Sequence, residues 1–414
     1  MPGAIFTPKP EPARVRSVAR LAAEPFLSEA LQWFSSQRRW INEKHLELCR
    51  IAAPTFQEQK RADWMVAQLR AMGCDAKLDR AGNVIAFPNA PLDGPLVAVT
   101  AHLDTVLEPR VAEDISIGRD GEMRGPGVSD NGAGLAALLA IAQALRVNSG
   151  LVARPLPMVL IANVGEEGEG NLSGMRYVCR PSGLASRIAA FLVLDGPATD
   201  HITARALASR RFEVSIQGPG GHSWSDWGVP NPVHALARVI ALFTESPLPP
   251  AGPRTTYNFG IIEGGASVNS IPTSARAKLD LRSESPARVD ELAGMLTACV
   301  EHALESENER ASNGRITAKI REIGSRPGGQ IAEDAPLLQH LHAVDAHLGI
   351  RAQLDCASTD ANIPLSLGIP AVSIGAGGQG GGAHTPNEWF HPEGRERALQ
   401  RILLTAWLLM QDLR

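Results

Sequence analysis

Four short apolar runs stand out along the chain: PLVAVTA at 95–101, PMVLIANV at 157–164, AFLVLD at 190–195 and PAVSIG at 370–375. They lack the alternation of a strand with one wet face, so they predict strands buried on both sides. Between the first two lies GAGLAALLAIAQAL, at 132–145, apolar all round and therefore a buried helix. Buried strands alternating with helices predict an α/β unit with a mainly parallel sheet and flanking helices. Upstream, helical spacing runs over 24–53 and again over 58–72, the second run ending at Gly73, and 83–87 reads as one strand of a meander.

From about 206 the pattern changes. ASRRFEVSIQG reads as a strand, NPVHALARVIALF as a helix, and TTYNFGIIEGG and ARAKLDLRS as two strands. VDELAGMLTACVEHALE is a second helix and RITAKIREIG a last strand. This βαββαβ order is that of a ferredoxin-like unit. The buried-strand pattern then resumes, so the second domain, 206–324, is an insertion in a discontinuous first domain, 1–205 and 325–414, whose residues 1–40 form an N-terminal extension.

The polar residues gain meaning from these strands. His102 and Asp104 follow the first, Glu166 and Glu167 the second, Asp195 the third, and His384 follows the fourth after a glycine-rich loop. Asp130, in GPGVSDNGAG, precedes the buried helix. Ligands of open α/β sheets bind beyond the carboxyl ends of the strands. His102, Asp130, Glu167, Asp195 and His384 offer oxygen and nitrogen without thiolate, which suits two divalent ions, zinc first with manganese or cobalt as alternatives. Asp130 is a candidate bridge, and Asp104, two residues from His102, is placed to fix that imidazole's tautomer. Glu166 and Glu167 point to opposite sides of an extended segment, so one can hold metal while the other takes a proton. Each motif alone has an ordinary structural reading: HxD as polar surface, DNG as a turn, Asp130 as a helix cap. Together, unpaired buried charges at one edge would cost several kcal/mol each, and a metal site removes that cost.

HLDTV, GPGVSDNGAG, GEEGEG, LVLDG and GGAHTPNEW, in that order and with a βαββαβ insertion after Asp195, resemble the dizinc exopeptidase and aminoacylase family. Peptidase T, bacterial glutamate carboxypeptidase, dipeptidases, acetylornithine deacetylase and succinyl-diaminopimelate desuccinylase belong to it. The resemblance runs from about residue 45 to the end. It implies His102, Asp130 and Asp195 on one ion, Asp130, Glu167 and His384 on the other, Glu166 as general base and Asp104 as orienting acid. It further implies that the insertion is a lid through which a homodimer forms. His222 in GPGGHSW would reach the partner's site to stabilise the oxyanion, and Asn269 and Arg282 would bind substrate. Thr359 and Asp360 in CASTDAN, with Gly377 and Gly378, resemble loops lining the substrate pocket, while Trp224 and Trp227 belong to the lid or the interface.

Within that family Asp at the position of Asp195 leans towards peptidases, as do STDAN and AGGQGGGAH. The resemblance therefore implies a metal-dependent di- or tripeptidase acting on short peptides, with an N-acyl amino acid hydrolase as the alternative. A second dizinc aminopeptidase family typically lacks the insertion. A catalytically inert binding or assembly protein on this scaffold would usually have lost the base or a ligand, and all are present.

The remaining features narrow the setting. A formal charge of -4 and pI near 6.3 make no electrostatic case for nucleic acid. No run of 18 apolar residues exists, so no membrane-spanning helix is expected. Cys49, Cys74, Cys179, Cys299 and Cys356 are odd in number and show no C-x-x-C spacing, which favours reduced thiols and a cytoplasmic setting. The first residues have no apolar core of a signal peptide. Residues 1–40 read as an amphipathic dimer or lid contact, or as a disordered tail.

Overall fold

The computed structural model describes residues 5–6, 11–88, 90, 93–147, 156–247 and 252–413. Two compact units divide the chain: Met1–Ala206 with Gln330–Arg414, and Leu207–Gly329. The second boundary falls beyond residue 324 because the last strand of the insertion, Thr317–Arg326, continues two residues past it.

The larger unit is built on the four apolar runs. Leu96–His102 and Met158–Asn163 are buried along their whole lengths, as is Ala371–Ile374, and Ile188–Leu194 nearly so. They pair in parallel, Met158–Asn163 beside Leu96–His102, then Ile188–Leu194, then Ala371–Ile374. All four therefore end at one edge. Gly132–Val147 is the buried helix, with nearly every side chain in the core.

Antiparallel pairings enter on both flanks of this centre. Val84–Pro88 adds antiparallel to Met158–Asn163, and Cys74–Leu78 adds antiparallel to Val84–Pro88. On the other flank His201–Ala206 pairs antiparallel with Ala371–Ile374 and parallel with Gln353–Ala357. The expected parallel core is present at the centre of the sheet, and antiparallel strands extend it on both flanks. Its flanks are more mixed in burial, and Cys74–Leu78 and Gln353–Ala357 each carry exposed positions. Two-sided burial marks only strands enclosed by helices on both faces.

Over its described part the N-terminal stretch is helical and packed on the core, not a disordered tail. Pro12–Ala22 and Pro25–Ser36 are helices, each with proline in its first turn, where a missing N–H costs nothing. Val18, Leu21, Leu27, Ala30 and Phe34 are buried in the main core, and Phe26 packs on Trp407 of the C-terminal helix Arg395–Asp412. The helical run expected over 24–53 is two helices, because Gln37 leaves helical geometry between Pro25–Ser36 and Arg38–Cys49. Arg401 of the C-terminal helix makes a buried two-pronged pair with Asp345 of the helix Pro336–Leu348, both contacts at 2.6 Å.

The smaller unit has strands Ala208–Gln217, Thr255–Gly264, Ser274–Ser283 and Thr317–Arg326, with helices Pro232–Glu245 and Pro286–Arg310. All its pairings in this sheet are antiparallel, with Ser274–Ser283 and Ala208–Gln217 central. One face, carrying Phe212, Val214, Ile216, Ala277, Leu279 and Leu281, is buried in the unit's own hydrophobic cluster with both helices. The alternate positions carry charge, and Arg211 pairs with Asp280 at 3.1 Å and Arg321 with Glu213 at 2.9 Å. Asn231 caps the first helix by accepting the Val233 N–H at 2.9 Å. Among the described residues no helix is long and apolar enough to cross a membrane.

The buried N-terminal helices make a direct prediction. Phe34→Ala leaves a cavity where a fully buried ring stood and should cost about 3–5 kcal/mol in urea unfolding. A loss under 1 kcal/mol would show that these helices are not part of the core.

Candidate metal centre and active site

The parallel register brings the predicted groups to one edge. His102 is the last residue of its strand, Asp195 follows Leu194 directly, and Glu167 lies four residues beyond Asn163. Donor atoms of His102, Asp130 and Glu167 all lie within 4.8 Å of one another. Asp130 divides its oxygens between two imidazoles: Oδ1 is 3.0 Å from His102 Nε2, and Oδ2 is 3.1 Å from His384 Nε2. Glu167 Oε1 lies 2.7 Å from the same His384 nitrogen, and Asp195 Oδ1 4.0 Å from His102 Nε2. His384 is held at φ 64, a left-handed backbone conformation uncommon for histidine, and its side chain is half exposed. It forms the open side of an otherwise buried cluster.

Asp104 does more than the sequence suggested. Its carboxylate accepts the backbone N–H groups of Glu166 (3.0 Å) and Glu167 (2.9 Å) and the hydroxyl of Thr55 (3.0 Å). His102 Nδ1 is 3.0 Å from the Asp104 main-chain carbonyl and 3.6 Å from its carboxylate. The closer acceptor of the imidazole N–H is thus the peptide oxygen, which fixes Nε2 towards the cluster. One aspartate therefore orients a histidine through its backbone and the Glu166–Glu167 pair through its side chain.

Around this lie residues that the sequence did not single out. Glu388, buried, accepts the N–H groups of Gly127 (2.7 Å), Ser129 (2.8 Å) and Asp130 (2.8 Å). Four residues after His384, it ties that histidine's loop to the loop of Asp130. Asn131 donates to the Leu194 carbonyl and accepts from the Gly134 and Gly196 N–H groups, joining Asp130 to the strand end that carries Asp195. Arg61, fully buried, donates to the carbonyls of Ile51 and Leu103, and Glu58 accepts the Gly165 N–H. Glu388 and Asn131 sit inside the quoted motifs, but a carboxylate that bonds only backbone leaves no pattern of its own in a sequence.

The residues that the resemblance assigns to the pocket have structural partners of their own. Asp360, buried, accepts the Asn163 amide at 2.6 Å, and Thr359 accepts the Ala361 N–H beside the short helix Asn362–Ser366. Both are largely withdrawn from solvent. Gly377 and Gly378 have positive φ, and a Cβ would collide with Ala398 at the first and with Phe390 at the second. Their glycine identity follows from packing. In the smaller unit, Gly221–His222 pairs with Ser270–Ile271, and Asn269 accepts the Ser223 N–H through its main-chain oxygen, so His222 and Asn269 share one patch. His222 Nδ1 accepts the N–H groups of Trp224 and Ser225, which leaves the ring proton on Nε2. Trp224 and Trp227 are strongly exposed beside it. Arg282 pairs with Asp280 at 2.6 Å and is half exposed.

The donor set fits divalent cations. Carboxylates and imidazoles without sulfur suit zinc, manganese or cobalt, and the split oxygens of Asp130 match a bridging ligand. The charges also call for a cation. Burial, reinforced by the charge of Asp130, pushes Asp195 up to about 7. Hydrogen bonds to Asp130 and Glu167 push His384 up to about 10. Burial opposes a charged His102, yet its bonds to Asp104 and Asp130 outweigh this and hold it well above the usual imidazole value. Protons thus occupy the site where cations would neutralise it.

A sheet edge bearing this donor set defines a metallohydrolase type of centre. The chain belongs to Peptidase family M20/M25/M40, whose model matches residues 98–407. The family model is one of peptidases. A Neosartorya fischeri protein provisionally named a carboxypeptidase is 29% identical over 229 residues, 48% of this chain and 50% of that one. The match thus spans about half of that relative's length. A Mycobacterium tuberculosis protein provisionally named a succinyl-diaminopimelate desuccinylase is 26% identical over 79% of this chain and 87% of its own. A tripeptidase from Staphylococcus aureus shares the fold with a TM-score of 0.72 at 20% identity, covering 90% of this chain and 98% of that one. A Bacillus subtilis protein described as a dinuclear metal binding peptidase has a TM-score of 0.65 at 18% identity, covering 92% and 100%.

Two predictions follow from this geometry. Groups raised above pH 7 are protonated there, whereas metal takes neutral imidazole and ionised carboxylate. Zinc uptake at pH 7 should therefore release on the order of two protons, read by calorimetry in buffers of different ionisation enthalpy. Apparent affinity should rise with pH until His384 is itself neutral, near 10. Uptake without proton release would show that the two imidazoles are already neutral in the metal-free site at pH 7. Glu388→Ala strands three inward N–H groups and should cost about 2–4 kcal/mol in urea unfolding and weaken zinc binding, with Glu388→Gln recovering part of both.

Proposed function

We propose that this protein hydrolyses an amide bond in short peptides as a metal-dependent exopeptidase, a di- or tripeptidase. The observation that carries the reading is Asp130, whose two oxygens face two different imidazoles while Glu166 and Glu167 emerge side by side from the neighbouring strand. Two divalent ions held by His102, Asp130, Glu167, Asp195 and His384 would supply a polarised carbonyl and a water acidic enough to react near neutrality.

The chain's own residues do the rest. Glu166, with its backbone fixed by Asp104, takes the proton of the attacking water and delivers it to the leaving amine. Asp104 holds His102 and the Glu166–Glu167 turn in place. His222, its proton on Nε2, is the donor to the developing oxyanion, supplied by a second copy in a homodimer formed through the inserted lid unit. Asn269 and Arg282 of the same unit bind substrate, the guanidinium suiting a terminal carboxylate. Five cysteines, an odd number without C-x-x-C spacing, accord with a reducing, cytoplasmic setting. The desuccinylase relative supports a second reading, an N-acyl amino acid deacylase using the same residues.

The test is product analysis by mass spectrometry on zinc-loaded protein. The substrates are free di- and tripeptides, the same peptides with either end blocked, and N-acyl amino acids. Cleavage of free peptides that stops when one end is blocked supports the exopeptidase, whereas release of the acyl group with peptides untouched replaces it by the deacylase. Glu166→Gln should lower kcat roughly 100- to 10,000-fold with zinc uptake unchanged. Undiminished turnover would remove Glu166 from the reaction.

A further inference from the structure

The larger unit buries its apolar residues thoroughly, which makes its exceptions informative. Phe56 is 68% exposed, Val106 44% and Leu107 36%. Val111, Ile117, Val147 and Leu367 are exposed as well, and isolated residues of this kind are ordinary on a surface. The first three are not scattered. Pro54 bridges to Thr105 in parallel, and the Thr105 N–H donates to the Ala53 carbonyl at 3.0 Å, so their two segments run side by side. These segments carry the groups at the heart of the site. Thr55, next to Phe56, donates to the Asp104 carboxylate, and Asp104, two residues before Val106, fixes the backbone of Glu166 and Glu167.

Phe56 has a second peculiarity. Its φ is 74, in the left-handed region that a bulky side chain rarely adopts. Strain of this kind persists where the surroundings impose it and clusters where a residue has work to do. Burial of the ring does not explain it here, since the ring is in solvent. Glycine would take this conformation without penalty. The chain instead holds a phenyl ring outward next to Thr55, which bonds Asp104, on a segment that runs alongside the one carrying Val106 and Leu107.

We infer that Phe56, Val106 and Leu107 form an apolar rim that selects substrates with an apolar side chain next to the scissile amide. The inference rests on the hydrolytic reading above and narrows its substrate class. The occupant is a branched aliphatic or aromatic residue of a short peptide, or of an acyl amino acid.

The test compares wild type, Phe56→Ala, Phe56→Gly and Leu107→Ala on matched di- and tripeptides. Each position in turn carries Ala, Leu, Phe, Asp or Lys, and N-acetyl derivatives of the same residues complete the panel. At one position wild type should favour Leu or Phe over Ala by on the order of tenfold or more in kcat/KM. Phe56→Ala and Leu107→Ala should shrink that ratio severalfold and leave the Ala substrate nearly unchanged. Phe56→Gly should lose the same selectivity, yet melt at or above the wild-type temperature because the strain is relieved. An unchanged ratio in all three variants overturns the rim, and so does a fall of several degrees in the Phe56→Gly melting temperature, which would mark Phe56 as a packing residue. Wild-type cleavage of these compounds without apolar preference overturns the rim alone. Cleavage of none of them overturns both the rim and the hydrolytic reading.

Discussion

Like charges crowded at one sheet edge are the constraint on which the rest of this structure turns. Asp104, Asp130, Glu166, Glu167 and Asp195 converge with two imidazoles at the carboxyl ends of four parallel strands. Such a cluster repels itself unless cations or protons offset it. Asp130 illustrates the solution, since each of its oxygens faces a separate histidine. Much of the surrounding architecture serves to hold these groups where they would not settle alone. Glu388 fixes the Asp130 loop from beneath, Asn131 joins it to the strand of Asp195, and Asp104 draws in the Glu166–Glu167 backbone.

Two residues at this edge, Phe56 and His384, are bulky and have positive φ. Both lie in loops leading to the charged cluster, one offering an apolar ring to solvent and the other an imidazole to two carboxylates. Strained backbone beside a buried core is tolerated because the core overdetermines it. The thoroughly buried helix Gly132–Val147 and the strands it accompanies supply that rigidity. The smaller unit follows a simpler plan, with one sheet face against two helices and the other carrying paired charges, and it presents His222 with its proton directed by two backbone donors.

Reading the sequence alone recovered what repeats along the chain. Four continuous apolar runs gave away the enclosed strands, and the βαββαβ order was legible because apolar-bearing strand segments and two amphipathic helices follow one another in that order. The edge strands were harder. Gln353–Ala357 and His201–Ala206 have mixed burial and short length, so nothing in QLDCA or HITARA marks them as members of the central sheet. The N-terminal helices were missed as core elements because their apolar residues are interrupted by prolines and charges, and only Phe34, Leu27 and Leu21 meeting the main cluster shows where they belong.

The sequence by itself determined which chemistry is available: which strands end in His102, Glu166, Glu167 and Asp195, and that no thiolate shares their edge. Local order along a strand and periodicity along a helix are short-range properties, and a sequence records them directly. Tertiary structure alone decided how those groups face one another. It set the sharing of Asp130 between two histidines, the choice of a peptide oxygen over a carboxylate as partner for His102 Nδ1, and the clamp of Glu388 on three N–H groups. These contacts join residues as far as 261 positions apart. Their geometry depends on the register of the sheet and the packing beneath it, which no local pattern encodes.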